Sequence, residues 1–340
     1  MARASAPGKC ILTGEHAVVY GEPAIIAAVG RRTAVSVEPL EGFAYSDSRF
    51  RGTVRFTVED AIYAVETARH LWDEGVVTSD FSALFAFIKA DGYGNYRKAV
   101  VGALAQKFSL EYGADIRITS DIPAGAGLGS SASLAVALTK AMASFQGVKL
   151  DLAAINAIAF ELEQLIHGTP SGGDNTTACY GGLIWFQKRQ HNVIEPLSTP
   201  HTLDHFGLVY TGPPEKTTGE LVQHVRNLDE AYRSQRVREI GKLVHMMKEA
   251  LGTKDSRLVK DVINKNQLLL KELGVSIPEI DEIHEAVKRI GGAAKLCGAG
   301  GGGIVLCCHE DKAKLAAAVH KLGYELWDAE LGAEGVRIES

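Results

Sequence analysis

Glycine loses more conformational freedom on folding than any other residue, so a chain that crowds it into particular places demands something of the backbone there. This sequence does so twice. Gly125, Gly127 and Gly129 stand in the run Pro123-Ala124-Gly125-Ala126-Gly127-Leu128-Gly129-Ser130-Ser131-Ala132-Ser133, and Gly298 is followed by Gly300 to Gly303. Flexible linkers are polar, whereas both runs are bounded by apolar segments. Upstream of the first, Ile116, Ile118 and Ile122 are separated by polar residues, the pattern of a half-buried strand. Downstream, Leu134, Leu138, Ala141, Met142 and Phe145 form a helical stripe. The first run therefore joins a strand to a helix.

Such a turn suits an anion. Its glycines let backbone N–H groups come close to a ligand, and the helix N-terminus adds unpaired donors and about half a positive charge. Ser130, Ser131 and Ser133 contribute hydroxyls that can donate hydrogen bonds or ligate Mg²⁺ through oxygen. A phosphate cradle is the natural reading; a glycine turn capped by serines is the alternative. It is not a Walker A loop, because Gly8-Lys9 and Gly241-Lys242 lack both the upstream Gly and the following Ser or Thr. Nor is it a dinucleotide fingerprint, since Ser130 fills the last glycine place. A literal GxGxxG at Gly298, Gly300 and Gly303 lies too near the C-terminus to be followed by a dinucleotide-binding domain.

Short apolar stretches at 9–12 and 24–39 predict strands, and 60–110 reads as mostly helical, with Leu84, Phe87 and Ile88 near helical spacing. Asp151 caps a helix striped by Leu152, Ile155, Ala159, Leu162 and Ile166 and closed by Gly168. The segment 181–210 reads as strands, and 217–250 and 255–290 as helices broken at Gly274 to Pro278; a strand at Ile304 to Cys308, a helix and a last strand follow. A chain of 340 residues exceeds the roughly 250–300 at which single cores stop growing. Two α+β domains are expected, 1–199 and 200–340, with the boundary in the stretch flanked by Pro196 and Pro200.

Lys and Arg total 36 against 41 Asp and Glu, a net charge of -5, which supplies neither a basic footprint for nucleic acid nor a polybasic membrane patch. Five scattered cysteines without a CxxC pair read as reduced thiols. Met1 to Lys9 lacks the apolar core of a signal peptide, and no apolar run approaches the roughly 20 residues that span a bilayer. The expected setting is the cytoplasm.

Further chemistry sits in Glu163 and the run His167-Gly168-Thr169-Pro170-Ser171-Gly172-Gly173-Asp174-Asn175. Glu163 occupies the last turns of its helix, where the macrodipole disfavours a carboxylate by about 0.3–1 kcal/mol. A nearby cation would remove that penalty. Asp174 follows a Pro and Gly turn, which can hold a carboxylate off regular structure and aim it at a pocket; a local turn bond is its bland alternative. Near the start, Ala6-Pro7-Gly8-Lys9 leads into Gly14-Glu15-His16.

The order APGK…GEH, PAGAGLGSSAS, HGTPSGGDN and KLCGAGGGG, spread from residue 6 to 303, resembles the GHMP kinases, which act on galactose, homoserine, mevalonate and phosphomevalonate. Glu15 to Gly21 and His167 to Asn175 are most similar to the mevalonate branch. Cys297 departs from the Thr or Ser that many members carry before the glycines. The resemblance implies an N-terminal ribosomal-protein-S5-domain-2-like domain, a C-terminal ferredoxin-like α+β domain and an active site in the cleft between them. It implies ATP and Mg²⁺ as cofactors, mevalonate as the small-molecule substrate and a homodimer. By the same resemblance Gly125, Gly127, Leu128, Gly129, Ser130, Ser131, Ala132 and Ser133 bind the ATP phosphates, and Ser131 and Glu163 hold Mg²⁺. Asp174 accepts or orients the attacking hydroxyl beside Lys9, and Glu15, His16, Thr218, Gly298 and Ala299 shape the acceptor site. Phosphomevalonate, or the tertiary hydroxyl of mevalonate, remains open as acceptor. A non-catalytic sensor would have lost one of Lys9, Ser131, Glu163 or Asp174, and all are present.

Overall fold

The chain begins with a strand that runs into a second, much longer one. The computed structural model describes every residue except Glu111, Ala124, His191 and Thr202; Ala124, part of the first glycine run, thus lies outside the described residues. In order come β1 (Ala2–Thr13), β2 (Pro23–Leu40), β3 (Phe43–Asp47), β4 (Thr53–Phe56), α1 (Val58–Thr78), α2 (Ser82–Lys107), β5 (Gly113–Ser120), α3 (Ser130–Phe145), α4 (Leu152–His167), α5 (Gly173–Tyr180), β6 (Leu183–Gln187) and β7 (Val193–Leu197). Then follow β8 (Phe206–Tyr210), α6 (Thr218–Arg226), α7 (Glu230–Thr253), α8 (Ser256–Glu272), α9 (Pro278–Arg289), β9 (Ala293–Leu296), β10 (Ile304–Cys308), α10 (Lys312–His320), β11 (Leu326–Asp328) and β12 (Arg337–Ile338).

Two sheets result. The first has the order β12-β1-β2-β5-β3-β4, with β6 and β7 attached to β2; the second has the order β11-β8-β10-β9. The 18-residue β2 explains how the lobes stack. Its first seven residues are buried on both faces, whereas the rest alternate as in a strand with one wet face. The early part pairs with β6 and the later part with β5. Helices α1 to α5 pack over one face of this sheet around Val35, Val37, Ile116 and Leu138. A second core joins the lobes, placing Cys10, Leu12, Ile25, Val29 and Leu128 against Phe206, Leu208, Met247, Val262 and Ile304. The two lobes therefore share one continuous apolar core.

Residues 43–56, for which no element was expected, form the β3–β4 hairpin, and Gly173–Tyr180 form a helix where a loop was expected. The expected second domain, 200–340, also gives up its tail. β12 pairs antiparallel with β1, and the Arg32 guanidinium donates to the Glu334 and Gly335 carbonyls, each at 2.7 Å, tying the tail to the first lobe. Among the described residues no helix is long and apolar enough to cross a membrane.

Candidate active site

The first glycine run alternates. Gly125 and Gly127 face outward, while Ala126 and Leu128 are buried. The inner side is fully engaged: the Leu128 carbonyl accepts from the Lys9 N–H at 2.9 Å, and the Ala126 carbonyl accepts from the Ile304 N–H at 3.2 Å. The outer side is not. Among the described residues no acceptor takes the N–H of Gly127, Leu128 or Gly129. Gly129, at φ 68°, then opens α3 without a side-chain cap, so the unpaired donors of the loop run directly into those of the first helical turn. Backbone donors aligned with the positive end of a 16-residue helix make an anion site.

Lys9 and Asp174 meet beside this cradle. Lys9 Nζ lies 3.2 Å from Asp174 Oδ2, the lysine nearly buried and the aspartate 39% exposed. A Cβ at Gly129 would sit 2.9 Å from Lys9 Cγ and 3.6 Å from Asp174 Oδ2, so the pair packs against the start of α3. Burial opposes the ammonium most strongly, but the facing Asp174 carboxylate outweighs it and holds the Lys9 pKa above its ordinary value. Asp174 is not in a loop, as expected from its Pro and Gly neighbours, but in the first turn of α5. Gly172, at φ 86°, supplies the turn into that helix. Asn175 then pins it, donating to Asn156 Oδ1 of α4 at 2.7 Å.

Glu163 closes the other side. It is 4% exposed, its Oε2 accepts from the Ser131 hydroxyl at 3.2 Å, and its buried Oε1 has no partner among the described residues. Burial, and next the nearby Asp174 charge, push this carboxyl up to about 8. A divalent cation would satisfy the orphaned oxygen and neutralise both carboxylates; Ser131 and Glu163 thus fit Mg²⁺, which prefers a few protein oxygens and completes its shell with water and phosphate. No role was expected of His167, yet its Nε2 lies 3.1 Å from Ser131 Oγ and 3.7 Å from Glu163 Oε2. The i,i+4 spacing from Glu163 was the available signal.

Other expected site residues fall differently. Ser133 is fully buried, donates its hydroxyl to the Ala6 carbonyl at 2.8 Å and gives its N–H to Gly129, so neither donor faces the cradle. Ala132 is also buried. Glu15 does not open onto the cleft: it is 1% exposed, ion-paired with Lys295, and accepts from Asn266 Nδ2 at 3.1 Å. His16, at φ 58°, reaches the second glycine run, with its Nε2 2.9 Å from the Ala299 carbonyl oxygen. Gly298 approaches Gly127, 3.8 Å separating its added Cβ from the Gly127 Cα. Thr218 lies exposed in the first turn of α6, which contacts the glycine run instead through Leu221 against Gly301. Cys297 sends its thiol to the Ile11 carbonyl at 3.6 Å, a bond that Ser or Thr could also make.

An anion cradle, an ion-paired aspartate and a buried carboxylate oxygen without a partner among the described residues are the parts that phosphoryl transfer needs. The chain belongs to the GHMP kinases: the family's N terminal domain matches residues 95–182 and its C terminal domain residues 247–328. It is an ATP-dependent small-molecule kinase. Over its length it is similar to mevalonate kinases. That of Thermococcus gammatolerans is 33% identical over 347 residues, covering 99% of this chain and 98% of the relative. The Methanococcus jannaschii mevalonate kinase structure superposes with a TM-score of 0.79 at 24% identity, covering 99% of this chain and 98% of that one. The L. major mevalonate kinase, solved with R-mevalonate, gives 0.74 at 24% identity, covering 98% and 97%. These two structures establish the shared fold.

Proposed function

We propose that the enzyme transfers the terminal phosphoryl group of ATP to the 5-hydroxyl of (R)-mevalonate, giving 5-phosphomevalonate for isoprenoid biosynthesis. The Lys9–Asp174 pair set against the N-terminus of α3 carries this reading, because it places an acceptor for a hydroxyl proton next to a phosphate cradle. Phosphoryl transfer asks mainly for positioning and charge stabilisation. The outward N–H groups from Gly127 to Ser131 bind the phosphates. Asp174 accepts a hydrogen bond from the attacking hydroxyl and takes its proton as the new P–O bond forms. The Lys9 ammonium, 3.2 Å from Asp174 Oδ2, holds the carboxylate in place, so Asp174 acts above all as an orienting group. Lys9 also faces the oxygen on which negative charge grows. Ser131 and Glu163 would hold Mg²⁺, which supplies neutralisation of the phosphate charge. His16 and Ala299 close the acceptor side.

Incubation with Mg-ATP and, separately, mevalonate, phosphomevalonate, homoserine or galactose tests the substrate, with ADP release followed and products read by phosphorus NMR. A monoester on the primary hydroxyl of mevalonate is expected; turnover only with another acceptor rejects mevalonate. Asp174→Asn should cut turnover by at least about a hundredfold with ATP affinity nearly unchanged. Near-normal turnover would remove Asp174 from the mechanism.

A further inference from the structure

Away from the Lys9–Asp174 pair the protein holds a second, wholly buried ammonium. Lys295 of β9 is 0% exposed, and its ion-pair partner Glu15 is equally enclosed. A charge withdrawn from water must use its hydrogen-bonding capacity in full, and Lys295 has three donors. One goes to the Glu15 carboxylate, one to the Ile11 carbonyl at 3.0 Å and one to the Leu296 carbonyl at 2.7 Å. The second Glu15 oxygen takes Asn266 of α8 at 3.1 Å, and Gln267 accepts from the Leu296 N–H at 2.9 Å. Ile11 and Glu15 belong to the first lobe; Lys295, Asn266 and Gln267 belong to the second.

The location of this knot gives it a role. Ile11 lies two residues beyond Lys9 on β1, and Glu15 adjoins His16. Lys295 stands just before the run from Gly298 to Gly303, which meets His16 through the Ala299 carbonyl, while Ile304, the next residue, supports Ala126 of the cradle. One side chain therefore sets the height of the second glycine run against both β1 and the His16 turn. Replacing a buried ion pair by apolar groups is often neutral or favourable for stability, so stability alone does not call for charge here, whereas a directional three-point contact fixes register.

We propose that Lys295 is a positioning residue for the kinase reaction, holding the second lobe's glycine run in register with Lys9 and the His16 turn. It rests on the mevalonate reading for its acceptor assay only. Lys295→Met strands the Glu15 carboxylate, so the decisive variant is Glu15→Gln with Lys295→Met, which removes both charges. Thermal stability of the double variant should return close to wild type. Its kcat/KM for mevalonate should stay down by about tenfold to a hundredfold, the scale set by small misplacements of reacting groups, with much of the loss in KM. Recovery of stability and kinetics together would reduce the knot to a fold-stabilising contact and overturn the proposal. Lys295→Arg keeps the charge but not the ammonium geometry, and covers the case in which the neutral variants fail to fold. It should fold and show a raised KM, and wild-type kinetics would overturn the proposal. ADP affinity, measured by calorimetry, separates the two readings. Wild-type protein that binds ADP but leaves mevalonate untouched defeats the substrate, whereas the Lys295 proposal then fails if the variants bind ADP as wild type does.

Discussion

A Cβ added at Gly125 would meet nothing within 4 Å, whereas one added at Gly300 would lie 2.1 Å from the Val275 carbonyl oxygen. The contrast holds for most of each run; the exceptions are Gly129, whose Cβ would meet Lys9 Cγ at 2.9 Å, and Gly298, which would meet nothing nearer than 3.8 Å. In the first, Gly127 has only the Cys297 carbonyl at 3.3 Å, and its outward side is open. In the second, Gly303 lies against the Ala126 carbonyl at 2.9 Å and Gly302 against Pro214 Cα at 3.2 Å. The Gly301 N–H bonds the Val275 carbonyl, and the Gly303 N–H bonds that of Gly212. Both runs need left-handed backbone, with φ of 73° at Gly125 and 87° at Gly300. They need it for different ends. The first leaves open the space that the proposed phosphate site would use; the second lets main chains of its own lobe and the first run approach each other.

The largest expected effect follows from breaking the closed run. Gly300→Ala combines a positive φ with a methyl driven into fixed backbone. It should cost on the order of 3 kcal/mol, the upper range for local strain of this kind, read as a lowered urea midpoint at unchanged slope. A midpoint within error of wild type would show that the run has slack the geometry denies.

Gly125→Ala sharpens the contrast. With open space around it, the substitution carries only the left-handed backbone cost of about 1–2 kcal/mol. Its main consequence should be functional: ADP affinity down roughly tenfold, equivalent to about 1.4 kcal/mol, in a protein that remains folded. Unfolding as severe as that of Gly300→Ala would mean that packing, not a ligand, explains the first run as well.

This difference was only partly legible in the sequence. The strand before Pro123 and the stripe after Ser133 marked the first run as a strand-to-helix turn, and the structure has β5 and α3 on either side. Helix α4 keeps its expected limits because its signals are local: the Asp151 cap, which accepts from the Ala154 N–H at 2.7 Å, and Gly168 just past its end. Asp174 was misplaced because Gly172 and Gly173 read as a loop. In the fold Gly172 serves as a left-handed entry to α5, stabilised by Asn175 reaching a neighbouring helix that no local pattern reveals. Lys295 opens the KLCGAGGGG run, but its buried role is illegible there for a similar reason. Its partner Glu15 lies 280 residues away, and a Lys in an apolar strand has no local feature that distinguishes buried from exposed. Glu15 was recognised as part of a motif, but whether a carboxylate faces a ligand or the protein depends on what the other lobe brings behind it.

Ser133 locates the inner limit of the proposed ligand-facing surface, and its substitution should have the smallest effect. The resemblance grouped it with Ser130 and Ser131, but helical geometry turns successive residues by about 100°, which carries Ser133 onto the face that packs against β1. There its hydroxyl donates to the Ala6 carbonyl at 2.8 Å. Ser133→Ala should therefore lower stability by about 1 kcal/mol, the usual net worth of one hydrogen bond, and leave kcat and the KM for ATP unaltered. The kinetic measurement decides. A several-fold rise in the KM for ATP at unchanged stability would extend the phosphate cradle two residues too far for this geometry and require α3 to rotate when nucleotide binds.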